Sequence, residues 1–232
     1  MKRSNADDAR EKAFHQALTS GDIATVSKCL DEGFSANHHS EKMPPPMACA
    51  IRTKNVGLVR LLLDRGYEID RPLGDPERTA IMWTYQTAPA VFECLLGAGA
   101  DLNVRDKYGA TIAHLVPATR NDMVELLARL CTMGLRLDVT DNFGETPFTQ
   151  ANRYGNLKCA EFLMQKGADL NQRGRDKMTS LIIAGQKGLL EVCQWLVSKG
   201  ADLHAKDNFN KTALDWARAN KHQAVVELLE KA

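Results

Sequence analysis

Six histidines, six cysteines and many carboxylates are the residues of this chain that could do chemistry. Hydrolysis by an activated serine would need that serine raised on a sharp turn, as in Gly-x-Ser-x-Gly, and the sequence has no such arrangement. Cradling a phosphate would need Gly-x-x-x-x-Gly-Lys-Ser/Thr or Gly-x-Gly-x-x-Gly, and neither occurs. Cys29, Cys49, Cys94, Cys131, Cys159 and Cys193 form no Cys-x-x-Cys pair. They read as small apolar residues of a reducing compartment. His38 and His39 are adjacent, but no ligand-spaced cysteine or carboxylate cluster accompanies them, so no metal or other cofactor is expected. Arg173, Arg175 and Lys177 recur in kind as Lys206 and Lys211, with Asp176 and Asp207 interleaved. The mixed signs favour a solvated surface over a nucleic-acid site.

Composition narrows the classes further. A net charge of +1, 44% hydrophobic residues and 25% charged residues are ordinary for a soluble chain. No broad field for nucleic acid or membrane follows from them. The polar start, Met1-Lys2-Arg3-Ser4-Asn5-Ala6-Asp7-Asp8, has no apolar run behind it, and no stretch approaches a membrane span. The expectation is a cytoplasmic protein, monomeric on its own.

The elements that position these residues come from an internal period. Lys166-Gly167-Ala168-Asp169-Leu170-Asn171 returns as Ala98-Gly99-Ala100-Asp101-Leu102-Asn103 and as Lys199-Gly200-Ala201-Asp202-Leu203-His204. Looser copies carry Gly33, Gly66 and Gly134, so the glycine steps are 33, 33, 35, 33 and 33. Thr79, Thr111, Thr146, Thr179 and Thr212 keep the same phase, and backward extrapolation reaches Pro45 and Lys12. Thr146-Pro147-Phe148-Thr149-Gln150-Ala151, preceded by Asp141-Asn142-Phe143-Gly144-Glu145, is the fullest copy, and Thr111-Ile112-Ala113-His114 supplies the histidine. This pattern resembles the ankyrin repeat. The resemblance implies an all-α solenoid of stacked helix-turn-helix units with projecting β-hairpin-like loops.

Read in order, residues 1–9 form a polar lead and 10–232 a single repeat domain. Its units are expected at about 10–39, 40–73, 74–105, 106–140, 141–173, 174–206 and 207–232. The polar first and last units read as caps. Of Pro44, Pro45 and Pro46, only the last fits a helix's first turn. The third unit is one residue short between Thr79 and Gly99, with Pro89 at its inner turn. The fourth is two residues long between Thr111 and Gly134, with Pro117 ending its first helix early and its second helix expected to lengthen. A local break is expected around units three and four. The repeat threonines are expected to cap helices, and Asp106, Asp141 and Asp207 to turn the tips.

For function, the resemblance implies protein binding. His15 and His114 fall on its histidine position, where it implies a backbone hydrogen bond between repeats, and His222 also reads as structural. Contact positions are implied at the tips, before the repeat threonine and after the first helix. The tips supply Glu41, Lys42, Asp75, Lys107, Tyr108, Phe143, Arg175 and Phe209; Arg78, Glu145, Met178 and Lys211 precede the threonines. Arg52, Arg153, Tyr154 and Lys187 follow the first helices, in a row without a carboxylate. Trp83 and Tyr85 join them as large rings in the third unit. The expectation is a non-catalytic inhibitor or regulator that grips a partly acidic protein with its concave face and tips. A two-sited adaptor is the alternative, and a nucleic-acid binder or an enzyme is remote.

Overall fold

The computed structural model describes residues 5–38, 43–119 and 123–232. Helices come in pairs. The first members are α1 (Asn5–Ser20), α3 (Pro46–Thr53), α5 (Ala80–Thr84), α7 (Ile112–Leu115), α9 (Pro147–Tyr154), α11 (Ser180–Lys187) and α13 (Ala213–Ala219). The second members are α2 (Ile23–Asp31), α4 (Val56–Asp64), α6 (Pro89–Gly97), α8 (Val124–Thr132), α10 (Leu157–Gln165), α12 (Leu190–Ser198) and α14 (Gln223–Lys231). Every second helix has 9 residues, whereas the first helices run from 4 to 16. The chain divides into two compact units, Met1–Lys107 and Tyr108–Ala232. The division falls between the two irregular repeats.

Local chemistry sets the helix starts. Thr111, Thr146, Thr179 and Thr212 each accept a hydrogen bond from a backbone N–H in the first turn of the helix they precede. Thr79 does not: its hydroxyl is buried without a partner. The second helices have their own caps, which the threonine spacing does not announce. Asp22, Asn55 and Asn156 accept from the N–H groups of Thr25, Leu58 and Cys159 at 3.1, 3.2 and 3.2 Å. Pro46 occupies the first turn of α3, where its missing N–H costs nothing.

The helix ends explain the glycine period. After α10 the chain passes through Gly167 at φ +95°, and the Ala168 N–H then reaches back to the Leu163 carbonyl at 3.1 Å. Only glycine enters that conformation without strain. Two residues beyond the Asp, the same motif ties repeats together. Asn171 accepts from the Asp202 N–H at 2.9 Å, and Asp70 accepts from the Asp101 N–H at 3.0 Å.

In the first unit the apolar faces of α1–α6 bury Phe14, Leu18, Met47, Leu58, Leu62, Ile81 and Leu95. In the second, α7–α14 bury Ile112, Leu127, Leu130, Phe148, Leu163, Leu181 and Leu196. Each such side chain contributes about 1.5–3 kcal/mol, and a helix pair offers too few to fold alone, so neighbouring repeats complete each core. Packing is closest between α11 and α13. A Cβ on Gly185 would stand 2.6 Å from the Ala213 carbonyl oxygen.

Within the expected polar lead, α1 already begins at Asn5. Two expectations need correction. Pro89 opens α6 at its first position instead of sitting in the turn before it. The second helix of the fourth repeat is not lengthened. α7 stops at Leu115, ahead of Pro117, and the extra residues precede the 9-residue α8. Glu41, Lys42, His39 and residues 1–4 lie outside the described residues.

Candidate partner-binding surface

In the first unit the structure gathers three of the expected residues. Arg78 donates to Asp106 at 3.1 Å, and the Asp106 side chain is fully buried. The Arg78 guanidinium also lies over the Trp83 ring, 5.7 Å from its centre. Tyr85 is half-buried beside them, and burial raises its phenol above the ordinary value although Arg78 opposes this. Arg52 stands apart, exposed in the last turn of α3. At the tip, the Lys107 ammonium pairs with Asp75 at 2.7 Å.

In the second unit the tips form a ladder. The Tyr108 and Phe143 rings stack with centres 6.3 Å apart and planes 29° from parallel. The Arg175 guanidinium covers Phe143 at 5.3 Å. Backbone bonds hold the order: the Asn142 N–H donates to the Tyr108 carbonyl at 2.9 Å, and the Asn208 N–H to the Asp176 carbonyl at 2.8 Å. Asp141 and Asp207 turn their tips as expected, each accepting two backbone N–H bonds. Tyr108 and Phe143 are nevertheless 43% and 42% exposed. Phe209 is 63% exposed and meets Trp216 edge-on. Met178 is half-buried.

The row after the first helices is less free than its sequence suggests. Arg153 donates to Glu145 at 2.6 Å, and the Glu145 residue is only 4% exposed. A carboxylate thus answers the central cation of a row read as having none. The Lys187 ammonium donates to the Arg153 carbonyl at 3.5 Å and lies 5.7 Å from the centre of the exposed Tyr154 ring. Burial and the Arg153 charge lower its pKa.

Sequence reasoning missed Trp216. Its indole N–H donates to Asp207 at 2.7 Å, and the Lys211 ammonium sits over its ring at 4.3 Å. The sole advance signal is a tryptophan four residues after a repeat threonine. The histidines divide. His114 accepts the Thr111 N–H at Nδ1 (3.1 Å) and donates from Nε2 to the Glu145 carbonyl (3.2 Å), the expected bond between repeats. His222 donates to the Gln186 carbonyl at 3.1 Å. His15 makes no such bond: both its ring nitrogens are buried without a hydrogen-bond partner.

Comparison with known proteins agrees with this architecture. A family model described as ankyrin repeats matches residues 79–174 and 171–232. The chain belongs to the ankyrin repeat family. It is 43% identical over 65 residues to "Ankyrin repeat, SAM and basic leucine zipper domain-containing protein 1" of Notamacropus eugenii, covering 28% of this chain and 14% of that protein. It is 33% identical over 148 residues to "Neurogenic locus notch homolog protein 1" of Mus musculus, covering 62% of this chain and 6% of that one. "Palmitoyltransferase AKR1" of Lachancea kluyveri matches at 25% over 188 residues, 78% of this chain and 25% of the other. The ankyrin chain therefore spans a quarter or less of these relatives' lengths. No helix among its described residues is long and apolar enough to cross a membrane.

Proposed function

We propose that this ankyrin repeat chain is a non-catalytic protein-binding module, acting as an inhibitor or regulator of its partner. The observation that carries this reading is the Tyr108–Phe143–Arg175 ladder. Two large rings stay in water, held in place by stacking and by main-chain bonds between tips. Such rings, already ordered, offer contact area at little entropic cost to a partner. The fixed scaffold supports a binding role over a catalytic one, since its charged pairs sit in turns and helix ends. Arg175 over Phe143 and Lys187 over Tyr154 add positive charge beside exposed rings, which suits a partner with a partly acidic surface.

The test is capture from the source lysate with wild type beside Phe143→Ala and Arg175→Glu. One protein held by wild type and lost by both variants fits an inhibitor that covers a single partner. Retention by both variants would remove the ladder from the site. Two independent partners would favour the adaptor reading. For the electrostatic part, Arg52→Glu with Lys187→Glu should slow association and flatten its salt dependence; an unchanged slope would refute it.

A further inference from the structure

The histidine that fails to make the family's bond has a different set of neighbours. In the fourth repeat the N–H of Thr111 is free for His114 because the helix starts there. In the first repeat Lys12 holds the threonine's place, and α1 runs straight through it. The Lys12 N–H therefore belongs to the helix ladder, and His15 loses the usual partner. The residue is only 5% exposed, yet neither ring nitrogen is hydrogen-bonded. A buried imidazole left this way is destabilising unless something else satisfies it.

Two potential ligands face it. Glu11 lies one helical turn before His15 on the same side of α1. His38, from the loop after α2, places Nε2 2.9 Å from Glu11 Oε1, and its ring centre is 6.2 Å from that of His15. One ligand atom from each of the three residues lies within 4.8 Å of the others. The rings of Phe14 and Phe34 flank the group, with Phe14 edge-on to both histidines. A cavity of about 410 Å³, lined by Arg10, Glu11, Glu32, Gly33, Phe34, Ser35 and His38, opens beside them, and Glu32 pairs with the Arg10 guanidinium there at 3.4 Å.

We propose that Glu11, His15 and His38 form a binding site for a divalent cation of the zinc class. Two imidazoles and one carboxylate are a known three-ligand set for zinc, which keeps a fourth position for water. Bonds of roughly 2.0–2.2 Å set tetrahedral ligand atoms about 3.4 Å apart, so the widest separation in the cluster needs to close by up to about 1.4 Å. The open cavity admits the ion and leaves room for the fourth ligand. Burial and the neighbouring His38 favour neutral His15, the form that ligates.

The test is a competition titration of the full chain against a chromophoric zinc chelator, in a phosphine reductant that keeps the six thiols reduced. Wild type should take up one equivalent of zinc. His15→Gln, His38→Gln and Glu11→Gln should each lose about tenfold or more in affinity, since even groups that only orient metal ligands are worth about 10–100-fold. Zinc should raise the thermal midpoint of wild type and raise that of His38→Gln by less. If His15→Gln does not fold, His38→Gln, altered in a half-buried loop position, decides alone. Cobalt in place of zinc should give a tetrahedral visible spectrum without a thiolate charge-transfer band. No uptake by wild type, equal affinity in the His38 variant, or a thiolate band would each overturn the proposal.

Discussion

Arg153 places Nη2 2.6 Å from Oε1 of Glu145, while Oε2 of the same carboxylate is buried with no hydrogen-bond partner. The pair joins the residue before a repeat threonine to the penultimate residue of the following helix. Removing the cation leaves a carboxylate that has lost its water and its counter-charge together. Arg153→Met is expected to lower the stability of the 108–232 unit by about 1–3 kcal/mol, read from the urea midpoint. Glu145→Gln with Arg153→Met should recover most of that loss. A single variant as stable as wild type would show that the pair contributes nothing. Any effect of Arg153 on partner binding must be corrected for this loss, so Arg52 and Lys187 are the cleaner probes.

Gly185 and Gly167 should respond to alanine for different reasons. At Gly185 the added methyl meets the Ala213 carbonyl at 2.6 Å, and α11 must move away from α13. Overpacking of this kind costs about 1–3 kcal/mol. At Gly167 there is open space, but φ is +95°, so the cost is about 1 kcal/mol of backbone strain. Denaturant melts of the two variants, compared side by side, check the order. Equal or reversed losses would mean that α11 and α13 are not in the close contact described.

The fold was legible where a repeat rewrites the same local physics. A glycine at the left-handed exit of each second helix from α2 to α12, and a threonine before the first helices from α5 onward, set two markers in phase. The site was less legible because its pairings arise from the third dimension. Arg153 and Glu145 are eight residues apart and meet only because the tip folds against its own helix. Trp216 and Asp207 meet in the same way. His15 looked like His114 by position, yet position alone did not say that α1 would continue through Lys12. The excess length of the fourth repeat is likewise plain from its spacing, whereas its place between α7 and α8 is not.

Asp207 makes the last repeat sensitive to acid. Burial acts to raise its pKa, but the Lys211 N–H, the Trp216 indole, the Phe209 N–H and the Lys211 charge together hold it below the ordinary 3.8. A carboxylate with a lowered pKa in the fold stabilises it fully above its unfolded value. That contribution fades as pH falls through the folded value. Asp207→Asn should therefore be less stable than wild type at pH 7, and the gap should narrow as pH falls below 3.8. Urea midpoints of both proteins across pH 2–7 test this. A gap that persists undiminished at pH 2 would assign the role of Asp207 to shape and not to charge.

The tip ladder separates stability from recognition. The stacked pair of Tyr108 and Phe143 is worth about 0.5–1.5 kcal/mol beyond area burial, and both rings are already half in water. Phe143→Ala should therefore lower the urea midpoint only modestly. If the ring anchors a partner, the same change should cost about 2 kcal/mol or more of affinity, roughly 30-fold in Kd. Tyr108→Ala should act in the same direction and fall short of additivity with Phe143→Ala, because each ring orders the other. Affinities of the two single variants and the double variant, measured beside their urea midpoints, give both quantities. Losses of affinity no larger than the losses of stability would make the ladder a structural brace between tips and leave the partner's anchor elsewhere.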